Sequence, residues 1–167
     1  MDSPLNYSFG RPAPHVRAAI EAGGGLVMDG DLPPAADWQR GIASVLEDGR
    51  HALLVDVDGR PDWPRIADVA KRHSLPDLHV WQTEHGYHLL SLCARDALEV
   101  DRIMRGMGGD PEHRKALLEQ GYAVLRVTER SPGERSYLGV LAPSGRPDEC
   151  TAEQLPALLY AGERGTA

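Results

Sequence analysis

Two aspartates two residues apart end a short apolar run, and they are the residues in this chain best suited to chemistry. The run is Ala-Leu-Leu-Val-Asp-Val-Asp, residues 52–58, and it reads as a β-strand that Gly59 terminates. Residues i and i+2 of a strand point to the same face, so Asp56 and Asp58 are expected to project side by side. Adjacent carboxylates repel unless one binds a proton or a cation lies between them. The pair therefore predicts a site for a hard divalent cation, Mg²⁺ or Mn²⁺.

A histidine about thirty residues later gives this site a second functional group. Residues 78–82 and 87–92 read as two strands of a hairpin, with the Glu-His-Gly turn at 84–86 between them. On the returning strand Gly86, His88 and Leu90 share one face. A histidine beside a glycine is open to a ligand, and its ring can donate a hydrogen bond to a phosphate oxygen or accept a proton.

A third group of polar residues follows farther along the chain. Asp110 comes before Pro111, so it is either a third metal carboxylate or the cap of a helix that has proline at its first position. Arg126 lies in an apolar strand, where a charge is costly unless paired, so it is expected to clamp a phosphate or to hold an aspartate. Arg130 follows in a polar loop and is a further candidate for binding phosphate.

Composition limits the kinds of protein this chain can be. It has 167 residues, 41% of them hydrophobic, which suits one globular domain spanning 1–167. No apolar stretch approaches the roughly 20 residues that span a bilayer, and the N-terminus does not resemble a signal peptide. Two cysteines make neither a disulfide framework nor a zinc site, so we expect a cytoplasmic protein without a membrane partner.

The charge is unevenly distributed along the chain. Its net value is −7, which argues against a surface that coats nucleic acid generally. Residues 102–135 nevertheless contain seven basic and five acidic residues, a local charge of +2. A basic segment in an acidic protein suits a phosphate ligand or a short nucleic acid, although helix surfaces are also often decorated in this way.

The remaining elements predict an α+β fold, with a mostly antiparallel sheet flanked by helices. We expect an irregular arm at 1–14 and a frayed tail at 162–167. The predicted helices are 15–22, 36–46, 63–73, 96–107, one that follows Asp110 and ends near Gly121, and 151–160. The predicted strands are 26–28, 52–58, 78–82, 87–92, 122–128 and 137–141.

These motifs, in this order, resemble the archaeo-eukaryotic primase superfamily, and most closely its small phage- and plasmid-type primase-polymerases. The resemblance covers about residues 45–130 and rests on the aspartate pair at 54–58, Thr-Glu-His-Gly-Tyr-His at 83–88, and Gly-Asp-Pro at 109–111 with Val-Leu-Arg-Val at 124–127. It implies an RRM-like sheet and a nucleotidyltransferase that joins nucleotides on a single-stranded DNA or RNA template.

The resemblance also implies roles for individual residues. Asp56, Asp58 and Asp110 would bind two Mg²⁺ or Mn²⁺ ions, while His88 and Arg126 would bind the triphosphate of the incoming nucleotide. Nucleoside triphosphates would be substrates, and a helicase or another replication or repair protein would be a partner. The catalytic set so implied is Asp56, Asp58, His88 and Asp110.

Two alternatives from other functional classes stay open at this level. Asp-Val-Asp-Gly at 56–59 also matches the first motif of haloacid-dehalogenase-type phosphatases, in which the first aspartate is a nucleophile and the second an acid or base. The other alternative is a catalytically degenerate module that binds nucleotides or a partner protein. Formation of an aspartyl-phosphate on Asp56 would identify the phosphatase, and divalent-metal binding that is absent or indifferent to the aspartates would identify the degenerate module.

Overall fold

The α+β class expected from the sequence is confirmed by a computed structural model, which describes residues 9–10, 14–23, 26–27, 38–127, 133–141 and 143–161. These residues form nine strands, four α-helices and a short 3-10 helix, Ala152–Gln154. The strands are β1 (Phe9–Gly10), β2 (Leu26–Val27), β3 (Trp38–Ala43), β4 (His51–Asp58), β5 (Leu78–Gln82), β6 (Gly86–Arg95), β7 (Val124–Arg126), β8 (Ser136–Leu141) and β9 (Pro156–Ala161). The helices are α1 (Pro14–Ala22), α2 (Trp63–Arg72), α3 (Ala97–Gly106) and α4 (Pro111–Gln120).

The described strands form two sheets rather than the single sheet that we expected. The first has the order β1-β8-β5-β6-β4, with every neighbouring pair antiparallel. The second has the order β2-β9-β3-β7 and is antiparallel except for the β2–β9 pair. A mostly antiparallel arrangement is therefore present, but the second sheet adds a layer that the sequence pattern did not predict.

Strand β4 lies at one edge of the first sheet and contributes to the core on both faces. Leu53, Val55 and Val57 belong to a core cluster that also contains side chains of α2 and α3. Leu54, from the alternate set, packs in a second cluster that includes Ile42 and other residues of the second sheet. Because side chains alternate along a strand, Asp56 and Asp58 continue the row of Leu54 and lie on the face toward the second sheet.

The helix predicted over 36–46 is wrong, because this segment contains strand β3. β3 is an inner strand that pairs with β7 on one side and β9 on the other, and Ile42 and Ala43 are fully buried there. Its alanines and leucine favour a helix locally, but helix propensity is worth only tenths of a kcal/mol per residue. Pairing with two partners that come from the far end of the chain outweighs that preference.

The terminal helix predicted over 151–160 is also wrong. The chain forms one 3-10 turn with a capping box between Thr151 and Gln154 and then enters β9 at Pro156. Leu155, immediately before the proline, is extended at φ −80° and ψ 124°. A proline disfavours helical conformation in the residue before it and supplies no amide hydrogen, so a continuous helix ends here.

Other predicted elements are found with small shifts of their ends. The hairpin of β5 and β6 is antiparallel as expected, and Asp62, Asp96 and Asp110 each accept a backbone hydrogen bond as N-caps of α2, α3 and α4. The predicted strand 122–128 contains β7, and residue 128 lies outside the described residues. Within the arm expected to be irregular, β1 pairs with β8 and α1 already begins at Pro14, whereas 1–8, 11–13 and the tail at 162–167 lie outside the described residues. No helix in the described part of the chain is both long and apolar enough to cross a bilayer.

Candidate active site

The structure brings Asp56, Asp58 and His88 together on one face of the first sheet. In the β4–β6 ladder, Asp56 pairs directly with His88, and Asp58 pairs with Gly86. His88 Nε2 lies 3.8 Å from Asp56 Oδ1. The His88 side chain is buried, whereas the Asp56 side chain keeps about a third of its surface exposed and Asp58 is exposed. The carboxylate pair is therefore accessible to solvent, and the histidine lies buried beside it.

Gly86 is required by the close approach of the two strands at this end of the sheet. A Cβ atom added to Gly86 would collide with the Val57 carbonyl oxygen and lie 3.0 Å from Asp58 Cα. The backbone that carries the aspartates therefore packs directly on the backbone of residue 86. The glycine also leaves the space beside Asp58 free of a side chain.

A Gly86→Ala substitution is accordingly expected to push the end of β4 away from β6 and to displace both aspartates. Overpacking of this kind costs about 1–3 kcal/mol of unfolding free energy, which urea denaturation would measure. Titration with Mn²⁺ should show weaker binding to the variant. Gly49→Ala is a suitable control, because a Cβ there meets open space and only strains a turn at φ +86°. Unchanged Mn²⁺ binding by Gly86→Ala would contradict this account of the site.

Asp110 joins the site through the turn between α3 and α4, which lies along the free edge of β4. The Asp110 amide donates to the Asp56 carbonyl oxygen at 2.7 Å. Asp110 Oδ2 accepts a hydrogen bond from the His113 amide at 3.2 Å, so the carboxylate does cap α4. Asp110 thus caps α4 and also lies next to the aspartate pair, because the first turn of α4 starts beside Asp56 and Asp58.

The electrostatics at Asp56 show that negative charge is concentrated here. Burial is the main cause that raises the pKa of Asp56 to about 6; the charges of Asp58 and Asp110 contribute to the rise, and Arg126 opposes it. A carboxylic acid that binds its proton this tightly, with two like charges nearby, is a group that a cation would stabilise. The donor set consists of carboxylate oxygens, which are the ligands that Mg²⁺ and Mn²⁺ prefer.

These donors fit a divalent cation, although they are not already gathered around one point. Among the described residues, no group of three or more His, Cys, Asp and Glu side chains stands at positions that could hold a metal ion. Asp56 and Asp58 supply two carboxylates, and Asp110 is engaged with the start of α4. Mg²⁺ commonly binds through one or two carboxylates and completes its shell with substrate phosphates and water, so a two-carboxylate cradle suits it.

His88 is held neutral in a cationic environment. Burial is the main cause that lowers its pKa to about 3, and the nearby Arg135, Arg126 and His113 contribute to the shift. Its Nδ1 atom is buried and has no hydrogen-bond partner among the described residues. The indole Nε1 of Trp81, whose residue pairs with His88 across β5 and β6, is in the same condition. A buried polar atom without a partner costs free energy, so the two nitrogens mark a place where a polar ligand group would be stabilised.

Two arginines lie close enough to His88 to lower its pKa. Arg126 of β7 forms an ion pair with Glu134 at 2.7 Å, and both side chains are largely buried. The Arg135 guanidinium stacks 4.5 Å above the Trp81 ring. Arg126 influences the pKa of both Asp56 and His88, so the structure brings it to the site. Arg130, the third predicted phosphate-binding residue, lies outside the described residues.

Sequence reasoning missed three residues that the fold adds to this site, Trp81, Arg135 and His113. Trp81 could have been found, since counting back across the 83–86 turn places it opposite His88. Arg135 and His113 carried no local signal. Arg135 reaches the site because β8 returns to the first sheet beside β5, and His113 because α4 starts at the edge of β4.

Comparisons with known proteins add no information about this site. No protein-family model matches the chain, and neither the curated proteins nor the solved structures contain a match to it.

Proposed function

We propose that this protein is a metal-dependent nucleotidyltransferase of primase-polymerase type, which joins nucleotides on a single-stranded nucleic-acid template. The observation that carries the proposal is the pairing of Asp56 with His88 across β4 and β6, with a second carboxylate beside the first and arginines around the histidine. Anionic and cationic groups lie close together, as a reaction between a metal-bound nucleotide and a hydroxyl requires.

The anionic and the cationic residues of the site would have different roles. Asp56 and Asp58, with Asp110 as the third carboxylate, would hold two Mg²⁺ or Mn²⁺ ions, which when bound favour attack of a primer 3′-hydroxyl on the α-phosphate and departure of pyrophosphate. His88, which is neutral, would donate a hydrogen bond to a phosphate oxygen. Arg126 and Arg135 would offset the negative charge of the triphosphate, because both lie close enough to His88 to lower its pKa.

The phosphatase alternative receives less support from the fold. In that family the aspartate pair ends a strand of a parallel sheet. Here β4 is an edge strand whose ladder partner, β6, is antiparallel, and every neighbouring pair of the first sheet is antiparallel. The degenerate-module alternative differs from the proposal in metal dependence and in activity. The experiment below therefore distinguishes the proposal from each of the two alternatives.

The test is a gel assay of primed and unprimed single-stranded DNA with labelled nucleoside triphosphates, run with Mn²⁺, with Mg²⁺ and with EDTA. We expect products that depend on the metal and disappear in the Asp56→Asn, Asp58→Asn variant. Comparing primed with unprimed template separates extension from priming. Comparing deoxynucleoside with ribonucleoside triphosphates defines the substrate. A folded protein that gives no product on any template, alone or with a helicase added, would overturn the proposal.

The matched control is a double variant with the same change of charge at exposed acids outside the site. Asp68 and Glu84 have side chains about two-thirds exposed. Asp68→Asn with Glu84→Gln removes two negative charges and leaves Asp56, Asp58, Asp110 and His88 unchanged. This variant should keep full activity. Equal loss of activity in both double variants would mean that net charge, and not the paired aspartates, controls the reaction.

A further inference from the structure

Two backbone carbonyls on the outer edge of β4, those of Leu54 and Asp56, accept hydrogen bonds from the start of α4. In an antiparallel ladder, alternate residues turn their amide and carbonyl groups toward the partner strand, so Leu54 and Asp56 turn theirs outward. The Asp56 carbonyl accepts from the Asp110 amide at 2.7 Å. The Leu54 carbonyl accepts from His113 Nε2 at 2.8 Å. We refer to these two hydrogen bonds as the edge clasp.

His113 makes one hydrogen bond of this clasp and a second one to Asp110 itself. Its amide donates to Asp110 Oδ2 at 3.2 Å, while its ring donates to the strand that carries Asp56 and Asp58. Since a carbonyl oxygen only accepts, Nε2 must carry a proton, and this fixes the tautomer of the neutral ring. One residue thus ties the third carboxylate to the strand of the first two.

The turn before α4 is packed closely enough for this link to transmit position. A Cβ atom added to Gly109 would lie 2.9 Å from the Met104 carbonyl oxygen and 3.1 Å from Val55 Cγ1. The His113 ring is itself partly buried. The backbone of Asp110 therefore has little freedom while both hydrogen bonds of the clasp are made, and it gains freedom when the imidazole is removed.

We propose that His113 is a positioning residue, which sets the Asp110 carboxylate relative to Asp56 and Asp58 by fixing the first turn of α4 on the edge of β4. This inference rests on the proposed function, because it concerns the same carboxylates. His113 acts through Asp110 and does not itself contact the metal or the nucleotide. Groups that orient metal ligands in this way typically account for 10- to 100-fold in metal affinity.

The experiment is a titration of the full chain with Mn²⁺. The electron paramagnetic resonance signal of the free ion is measured at each point and gives the amount of bound Mn²⁺. We expect His113→Ala to bind Mn²⁺ about 10- to 100-fold more weakly than the native chain. His113→Gln should recover most of the loss, because its side-chain amide can donate to the Leu54 carbonyl. His85→Ala, which removes an 84% exposed histidine from the β5–β6 turn, should bind as the native chain does.

A second pair of variants tests whether His113 acts through Asp110. Asn is a good N-cap, so Asp110→Asn keeps α4 while removing the charge. In that background His113→Ala should cause no further loss of Mn²⁺ affinity, and in the native background it should speed hydrogen exchange of the Asp110 amide. An undiminished effect of His113→Ala in the Asp110→Asn background would overturn the inference.

The outcomes also separate this inference from the proposed function. A native chain that binds Mn²⁺ and a His113→Ala variant that binds it equally well would refute the positioning role alone. A native chain that does not bind Mn²⁺ at all would refute both. Thermal unfolding without metal identifies any variant that fails to fold, and the comparison between His113→Ala and His113→Gln then decides the question.

Discussion

Replacing Asp56 and Asp58 together by asparagine is expected to abolish nucleotidyl transfer while making the metal-free protein more stable. The two effects have one cause, since the charges that would bind a cation repel each other without one. Burial and the neighbouring carboxylates raise the pKa of Asp56 from its ordinary value to about 6, so the folded state holds this ionised group at a cost. Two-metal sites need their carboxylates for the reaction itself, and a loss of at least about a thousandfold in rate is expected.

The stability gain has a size and a pH dependence that can be worked out. One pKa unit corresponds to about 1.4 kcal/mol, but the Asp56 side chain is a third exposed, and solvent screening reduces the gain to about 1 kcal/mol. For an acid with a raised folded-state pKa, the penalty is present above about 6 and absent below its unfolded value near 3.8. Urea unfolding in EDTA should therefore favour the variant at pH 8 and show no difference at pH 4.

Added Mn²⁺ should reverse this order of stability. A ligand that binds only the folded state stabilises it by about 2.7 kcal/mol at a hundred times its dissociation constant, so the native chain should gain and the variant should not. The Asp68→Asn, Glu84→Gln variant is the control and should respond to Mn²⁺ as the native chain does. Equal stability gains for the site variant at pH 4 and pH 8 would contradict the assigned cause.

The part of the site that sequence could predict is the part built by local structure. β5, the 83–86 turn and β6 follow each other in the chain, and strand alternation fixes which side chains share a face. Those two facts are enough to put Gly86 and His88 on one face of β6, and Asp56 and Asp58 on one face of β4. The register that sets Asp56 opposite His88 joins two strands separated by α2 and β5, so it is not local. The cap at Asp110 is local, because the proline and the helix that follow it are adjacent in sequence.

The parts that could not be predicted depend on contacts between distant segments. β3 is a strand because β7 and β9 flank it, and both come from the last third of the chain. Arg135 approaches His88 only because β8 crosses back to the first sheet. No periodicity in the sequence encodes such pairings, so the second sheet and the position of Arg135 required the structure, whereas Asp110 and Arg126 were already candidates from the sequence.

Acidification is expected to unfold this protein mainly through its buried histidines, with His88 contributing a slope that one substitution can isolate. Burial lowers the pKa of His88 to about 3 and that of His79 to about 4, and it also lowers the pKa values of His51 and His113. A histidine with a lowered folded-state pKa binds more protons when unfolded, so its contribution is complete above about 6.5 and is lost progressively as the pH falls toward 3.

The groups that face His88 determine how this loss appears. Arg135, Arg126 and His113 oppose its protonation, and Asp56 has the opposite linkage, gaining stability as the pH falls from 6 to 4. One histidine can contribute up to about 1.4 kcal/mol per pH unit, so His88→Gln should flatten the plot of unfolding free energy against pH between 6.5 and 4. His85→Gln, at an exposed position, should leave the slope unchanged. If His88→Gln kept the native slope while remaining folded, His88 would be charged or solvated in the folded state, and the neutral, phosphate-facing role assigned to it would be refuted.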